Sequence, residues 1–160
     1  MKTFLCAALV FASSFIVASV AVADPPLQSP VSVSLGPKYF RDGDVIEIND
    51  VLATSGKLEQ GDSVTVRGRV RLGSRKSGVL SLYVTQTESD AATETDASQS
   101  KEISAGLANF ELKATIKHKG YLHLSFYDKQ TGKGFGCVYF GTSGQMQEIA
   151  AWDLRYHQAD

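Results

Sequence analysis

The sequence predicts an all-β fold, an antiparallel β-sandwich of about seven strands with an immunoglobulin-like arrangement, followed by one C-terminal α-helix. Apolar and polar residues alternate along several short stretches, as they do in half-buried strands. Turns that contain glycine separate these stretches at short intervals, which is typical of sandwiches. Near the C terminus the apolar period changes to three and four residues, which is the pattern of an amphipathic helix.

The first 23 residues predict a secretory signal peptide. Lys2 precedes an apolar run over residues 4–22, and Ala21-Val22-Ala23 forms a small-x-small cleavage site that is cut after Ala23. An uncleaved membrane anchor is the alternative, because the run approaches the roughly 20 residues that span a bilayer. The Ala and Ser content and the cleavage site favour cleavage, so we expect export to the periplasm or the extracellular space. No later stretch is apolar for long enough to span a membrane.

Composition limits the partners of the exported chain. Without Lys2, the 16 basic residues fall to 15 against 17 acidic ones, which gives no reason to expect nucleic acid as a partner. Cys6 lies inside the leader and leaves Cys137 as a single cysteine. We therefore expect no internal disulfide, and the apolar core must stabilise the fold unaided.

The mature chain begins with a linker and then forms one domain. Residues 24–30 are proline-rich and predict a flexible or extended linker, and residues 31–160 predict a single domain. Residues 31–35 alternate as a short strand. A turn at Asp42 and Gly43 then leads into a second strand over residues 45–52.

Residues 62–88 predict a central hairpin of two strands joined by a polar loop at residues 74–78. Pairing Leu72 with Leu80 buries the apolar residues of both strands on one side of the hairpin. A slip of one residue in the pairing would expose the apolar residues of one strand to water. This register also predicts the cross-strand pairs on the outer face: Arg67 with Thr85, Arg69 with Tyr83, and Arg71 with Ser81.

The sequence VTVRGRVRLGSRKSGVLSLYV in this stretch resembles the opening hairpin of OB-fold domains, where a strand of the form V-x-V-x-G-x-V enters a basic loop. The resemblance covers about a seventh of the chain. It implies a small five-stranded barrel whose exposed strand face binds oligonucleotides or oligosaccharides. Such a barrel is the second predicted fold, and export makes nucleic acid a poor partner for it.

Residues 89–102 are polar and contain no apolar residue larger than alanine, so they predict a mobile loop. A second hairpin is predicted from strands at residues 110–116 and 122–126, with a three-residue loop at residues 118–120. Glu111 and His123 then lie on its outer face.

A third hairpin turns at residues 129–132 and pairs Leu124 with Cys137, which places the cysteine inside. A helix over residues 142–157 follows. Thr142 and Gln145 fit a capping box at its start. Its apolar stripe is formed by Met146, Ile149, Trp152 and Tyr156.

The first candidate site is the arginine row on the outer face of the central hairpin. Guanidinium groups of Arg67, Arg69 and Arg71 bind carboxylate, sulfate or phosphate through paired hydrogen bonds, and Tyr83 adds a stacking surface. The alternative is a solvated sheet face in which arginine serves solubility and edge protection. The sequence favours this alternative, because any half-buried sheet has polar residues opposite its apolar face.

The second candidate site is an aromatic row with His123, Tyr121 and Tyr127. Such a row can stack on sugar rings while histidine fixes hydroxyl groups. The alternative is that these side chains suit a pleated surface or pack under the C-terminal helix through Trp152. The sequence again favours the alternative.

No catalytic, metal or cofactor site is predicted. A thiol enzyme would need Cys137 as an exposed thiolate beside a histidine, but its strand position predicts burial. His118, His123 and His157 lack the spacing of metal ligands. A small hydrolase built on His123, Cys137 or Asp128 is the least favoured hypothesis.

The sequence as a whole indicates an exported, non-catalytic binding module of the cell envelope or extracellular space, with a glycan or a protein as its ligand. The binding residues it predicts are Arg67, Arg69, Arg71, Tyr83, His123 and Tyr127. The alternative is a structural or assembly subunit of an envelope complex that docks through its C-terminal helix or a sheet edge. The oligomeric state does not follow from the sequence.

Overall fold

A computed structural model describes residues 27–87 and 97–154 of the chain. The predicted signal peptide lies outside the described residues. The fold is all-β with one short helix near the C-terminal end, as predicted. The strands are β1 (Ser29–Pro30), β2 (Ser34–Tyr39), β3 (Val45–Ala53), β4 (Ser63–Gln86), β5 (Ser100–Thr115), β6 (Gly120–Tyr127) and β7 (Gly134–Gly141). A 3-10 turn covers Ala97–Gln99, and α1 covers Ser143–Glu148.

The seven strands form one antiparallel sheet that is curled into a half-barrel, instead of two facing sheets. Its order is β1-β3-β4-β6-β7-β2, with β5 on the other edge of β4. The first part of β4 pairs with β3 and its last part pairs with β6, while β5 follows it on the opposite side. One long strand therefore joins the two ends of the sheet and bends it round a common interior.

The predicted central hairpin is wrong, because residues 63–86 form the single strand β4. Both apolar sets occupy even-numbered positions, so one continuous strand also places them on the same face. The polar stretch at residues 73–76 forms a bulge relative to β5 instead of a turn. Asp44 holds this bulge, since its carboxylate accepts hydrogen bonds from the backbone N–H groups of Gly73 and Ser74 at 2.8 and 2.9 Å. The hairpin that carried the OB-fold resemblance is therefore absent.

The predicted second hairpin is also wrong. Of the described strands, β5 pairs with β4 alone, and β6 pairs with the opposite edge of β4 and with β7. β4 thus separates two strands that are neighbours in sequence. Residues 100–102, predicted as part of a mobile loop, belong to β5, whereas residues 88–96 lie outside the described residues.

The predicted third hairpin is present between β6 and β7, but its register differs by one residue. Cys137 pairs with Ser125, and Leu124 pairs with Val138. The turn is longer than predicted because the Asp128 carboxylate accepts hydrogen bonds from the backbone N–H groups of Gln130 and Thr131, both at 2.9 Å. The shift places Cys137 on the outer face of the sheet.

The N-terminal strands follow the sequence in part. The turn at Asp42 and Gly43 is present, with a positive φ of 87° at the glycine, and β3 follows it as expected. Residues 29–30, predicted as linker, pair with the end of β3 as β1. The sequence predicted that the first strand ends at Gly36 and Pro37, but β2 continues past these two residues through a bulge.

The core fills the interior of the half-barrel. Inward side chains from β3 to β7 form one apolar cluster, and the largest fully buried ones include Phe126, Phe135, Phe140, Leu80, Leu82 and Leu124. Burial of this apolar surface is the main favourable contribution to folding. The curled sheet therefore encloses its own core without needing a second sheet.

A smaller apolar cluster lies on the outer face, under the helix and the residues that follow it. The predicted capping box is present: Gln145 N–H donates to Thr142 Oγ1, and the Thr142 N–H donates to Gln145 Oε1. The helix is shorter than the predicted residues 142–157. Residues 149–154 continue as a turn and extended chain, and Tyr156 lies outside the described residues. The members of this cluster are Cys137, Tyr139, Met146, Ile149 and Leu154.

Candidate functional site

The outer face of β3, β4 and β5 carries an ordered array of polar side chains, which we call the open face. Inward positions on this part of β4 are even-numbered, so its odd-numbered arginines point outward. Neighbours on β3 and β5 flank each arginine in a cross-strand row. The three rows are Val45–Arg71–Leu107, Glu47–Arg69–Asn109 and Asp50–Arg67–Glu111.

Carboxylates neutralise two of the three arginines. Arg67 Nε lies 2.7 Å from Glu111 Oε2, and Arg69 Nη2 lies 2.7 Å from Glu47 Oε2. Hydrogen bonds from Arg67 and then from Lys113 lower the pKa of Glu111, so it stays ionised at neutral pH. All of these groups are about half exposed, and such pairs stabilise a fold only weakly. Their effect is to fix the side chains in an alternating pattern of donors and acceptors.

Arg71 differs from the other two arginines. Its Nε donates to the Gly43 carbonyl oxygen at 3.0 Å. Among the residues that the structure describes, no carboxylate lies within ion-pair distance of its guanidinium. The arginine row is thus not uniformly cationic, because its positive charge is concentrated at the Arg71 end.

A shallow depression of about 450 Å³ crosses the open face. Amide, carboxylate and guanidinium groups from three strands converge on it, and together they supply both donors and acceptors. Strands hold these groups more rigidly than loops would. Its lining consists of Asn49, Asp50, Arg67, Gly68, Arg69, Lys101, Asn109, Phe110 and Glu111.

The predicted aromatic row lies on the outer face of β4, β6 and β7, where its rings pack against one another and are buried or half-buried. The Tyr83 ring lies 6.3 Å from that of His123 and 5.7 Å from that of Tyr127, the latter edge to face. His123 continues the contact to Tyr139 at 5.0 Å. Burial raises the pKa of Tyr127 to about 12. We call this group, with Tyr121 and Trp152, the aromatic cluster.

The chain after α1 contributes Trp152, which packs against one end of the aromatic cluster. Trp152 contacts Tyr121 at 5.3 Å and Tyr139 at 5.5 Å, both edge to face. Thr85 Oγ1 links His123 Nδ1 at 3.2 Å to the Tyr139 hydroxyl at 2.9 Å. Of the three residues predicted as an aromatic row, Tyr121 has the ring contact with Trp152 that the sequence predicted as one alternative, whereas Tyr127 has its ring contact with Tyr83.

The structure does not bring Arg69 and Tyr83 together. Tyr83 pairs with His123, and Arg69 pairs with Glu47 and Asn109. The predicted binding residues therefore divide into two groups, with Arg67, Arg69 and Arg71 on the open face. Tyr83, His123 and Tyr127 belong to the aromatic cluster.

The structure shows the surroundings of two further candidate residues, Cys137 and Asp128. Cys137 is 1% exposed, and burial raises the pKa of its thiol to about 11, which disfavours the thiolate that a nucleophile requires. Asp128 stabilises its turn and binds Arg75 Nη1 at 2.6 Å. Within residues 27–87 and 97–154, no group of three His, Cys, Asp or Glu side chains could hold a metal ion. His157 lies outside these ranges.

Sequence reasoning missed the flanking residues of the open face, Glu47, Asn109 and Leu107. Alternation already placed Glu47 and Glu111 on the outer faces of their strands. The missing information was which strands lie beside β4, because a polar face does not identify its neighbours.

No family model, no curated protein and no solved structure matches this chain. In the described part of the chain, no helix has the length and apolar character needed to cross a membrane. The side chains of the open face therefore provide the evidence for what it can bind.

Proposed function

We propose that this chain is an exported, non-catalytic binding module of the cell envelope or extracellular space, and that its ligand is a glycan held on the open face. The observation that supports this proposal is the polar depression formed by β3, β4 and β5. Export rests on the leader sequence over residues 1–23.

The chemistry of the depression suits a ligand rich in hydroxyl groups. A sugar hydroxyl both donates and accepts, so it is matched by neighbouring amide, carboxylate and guanidinium groups. In the described structure Glu47 binds Arg69 through Oε2 alone, which leaves Oε1 to accept from a ligand. Because Arg67 and Arg69 are already neutralised, this part of the face favours neutral hydroxyls over multiple anions.

The alternatives receive less support. Docking of a partner on an apolar face needs a contiguous apolar surface. The exposed large apolar side chains of the described residues lie on separate elements: Leu27, Leu35, Leu107 and Trp152. Thiol catalysis is disfavoured by the raised pKa of Cys137.

A glycan binding screen on the purified protein tests the proposal. An Arg69→Ala/Asn109→Ala double variant removes two side chains that line the depression. We expect the wild type to bind one or more glycans and the double variant to lose at least tenfold in affinity, since each lost hydrogen bond contributes about 0.5–1.5 kcal/mol and 1.4 kcal/mol is tenfold.

Tyr83→Phe is the matched control, because it alters the aromatic cluster and leaves the open face intact. Circular dichroism and thermal unfolding must show that all variants fold. Absence of glycan binding by the wild type would overturn the proposal. Loss of binding in Tyr83→Phe, with binding retained in the double variant, would move the site to the aromatic cluster.

A further inference from the structure

Arg71 is the arginine of the open face whose charge is not neutralised within the described structure. Its Nε donates a hydrogen bond to the Gly43 carbonyl oxygen, while Nη1 and Nη2 make no hydrogen bond to any described residue. A guanidinium group with two free parallel N–H donors matches the two oxygens of a carboxylate.

The turn before β3 holds Arg71 in place. Gly43 adopts a positive φ of 87°, and the neighbouring Asp44 is buried, with its carboxylate bonded to Gly73 and Ser74. The Gly43 carbonyl is therefore a rigid acceptor that orients the arginine before any ligand arrives. Pre-orientation lowers the conformational entropy lost on binding.

Apolar side chains flank the free end of Arg71. Val45 and Leu107 are its cross-strand neighbours, and Leu107 is 80% exposed. A second depression of about 260 Å³ lies here, and it is lined by Val45, Glu47, Arg69, Val70, Arg71 and Leu107. These apolar neighbours offer a surface to the C–H face of a sugar ring, and a ring bound there would shield a charged hydrogen bond to Arg71 from water and strengthen it.

We propose that Arg71 anchors a carboxylate of the ligand, so that the glycan bound by the open face is an acidic polysaccharide containing uronic acid residues. This inference rests on the proposed function and specifies its ligand. The carboxylate binds Nη1 and Nη2 of Arg71, the sugar ring lies on Leu107, and hydroxyls of adjoining sugars reach the polar depression beside Arg69.

The test compares three polymers: polygalacturonate, its fully methyl-esterified form and dextran sulfate. The first two share the same sugar backbone and differ at the carboxyl group, which is an ionised carboxylate in one and a neutral methyl ester in the other. We expect the purified wild-type protein to bind the acid form about ten- to a hundredfold more tightly than the ester, as a charge-assisted hydrogen-bonded pair would provide. Added salt should reduce this preference.

Three variants assign the effect to Arg71. Arg71→Gln should abolish the preference for the acid form, because the affinity for the acid falls to that for the ester. Arg71→Lys should retain part of the preference, because it keeps the charge but loses the paired donors. Lys133→Gln removes an exposed positive charge from the turn between β6 and β7, and it should leave both affinities unchanged.

Each outcome separates this inference from the proposed function. Equal binding of acid and ester by the wild type, or a preference that survives Arg71→Gln, would overturn the role of Arg71 and leave glycan binding standing. Tighter binding of dextran sulfate than of polygalacturonate would indicate attraction to negative charge in general. It would overturn the inference that Arg71 selects a carboxylate. Failure of every glycan to bind would overturn both proposals.

Discussion

Inward and outward side chains alternate in the same way along the two halves of β4, yet the outer faces of the two halves differ in their surroundings. We call residues 63–72, with β3 and β5, the open half, and residues 78–86, with β6 and β7, the covered half. Three outward residues of the open half, Arg67, Arg69 and Arg71, are exposed to water, whereas Thr65 is buried and donates a hydrogen bond to Gln28. Those of the covered half include Tyr83, which belongs to the aromatic cluster, and Thr85, whose hydroxyl is hydrogen-bonded to Tyr139 of that cluster. The chemistry of the outward residues, and not their period, distinguishes a sheet face that meets water from one that is covered by the chain.

The largest expected difference between the halves is in packing. Ile149→Ala removes a side chain that is 1% exposed over the covered half, and it should lower the free energy of unfolding by about 2–5 kcal/mol. Leu107→Ala on the open half should change it by less than about 0.5 kcal/mol. Urea unfolding measures both. Similar losses for the two variants would show that the open half is covered in solution.

A buried carboxylate fixes the start of the open half. Burial alone would raise the pKa of Asp62, but hydrogen bonds from Ser55, the Glu59 backbone and Thr54 lower it below its ordinary value of 3.8. Asp62→Asn should cost about 1–3 kcal/mol in the free energy of unfolding at pH 7.

The pH dependence gives a sharper readout of Asp62. A carboxyl whose pKa is lowered by folding contributes stability above its ordinary pKa, and this contribution is lost as the pH falls through the folded value. The gap between wild type and Asp62→Asn should therefore shrink below about pH 4. A gap that stays constant from pH 7 to pH 2.5 would exclude a contribution from ionised Asp62.

A smaller difference is expected from hydroxyl groups within the aromatic cluster. Tyr139 is 2% exposed, and its hydroxyl is bonded to Thr85, so Tyr139→Phe should lose about 0.5–1.5 kcal/mol of stability. The Tyr83 hydroxyl has no described partner and should be replaceable at less than about 0.5 kcal/mol. Thermal unfolding of the two variants would rank them. A larger loss for Tyr83→Phe would contradict the assigned hydrogen bond.

The smallest effect concerns an ion pair on the open half. A double-mutant cycle on Arg69→Ala and Glu47→Ala should give a coupling of about 0.2–1 kcal/mol, because both side chains are more than half exposed. The coupling should weaken in 1 M salt. A coupling above 2 kcal/mol that is insensitive to salt would show that the pair is shielded from water.

Local features of the fold could be predicted from the sequence because neighbouring residues determine them. The turn at Gly43 and the start of α1 at Thr142 both follow from short patterns. Strand pairing depends on distant residues. The even-numbered spacing from Val64 to Leu82 is compatible with a hairpin and with one long strand, so alternation could not decide between them.

The candidate site was predictable only in part for the same reason. The three arginines were identified as a row, but their partners Glu47 and Glu111 lie on strands whose positions beside β4 could not be derived. Residues 73–76 form a bulge that is held by hydrogen bonds from the backbone to the Asp44 carboxylate. That contact spans about 30 residues and leaves no local trace in the sequence.

The continuity of β4 has a consequence for how the protein unfolds. The open and covered halves share one strand, so neither has a complete set of backbone hydrogen bonds unless β4 is in place. Most of the pairing joins residues far apart in the chain, a topology that folds slowly. Amide protons in β3 and β6, at opposite ends of β4, should therefore exchange with solvent through the same global opening and with the same free energy.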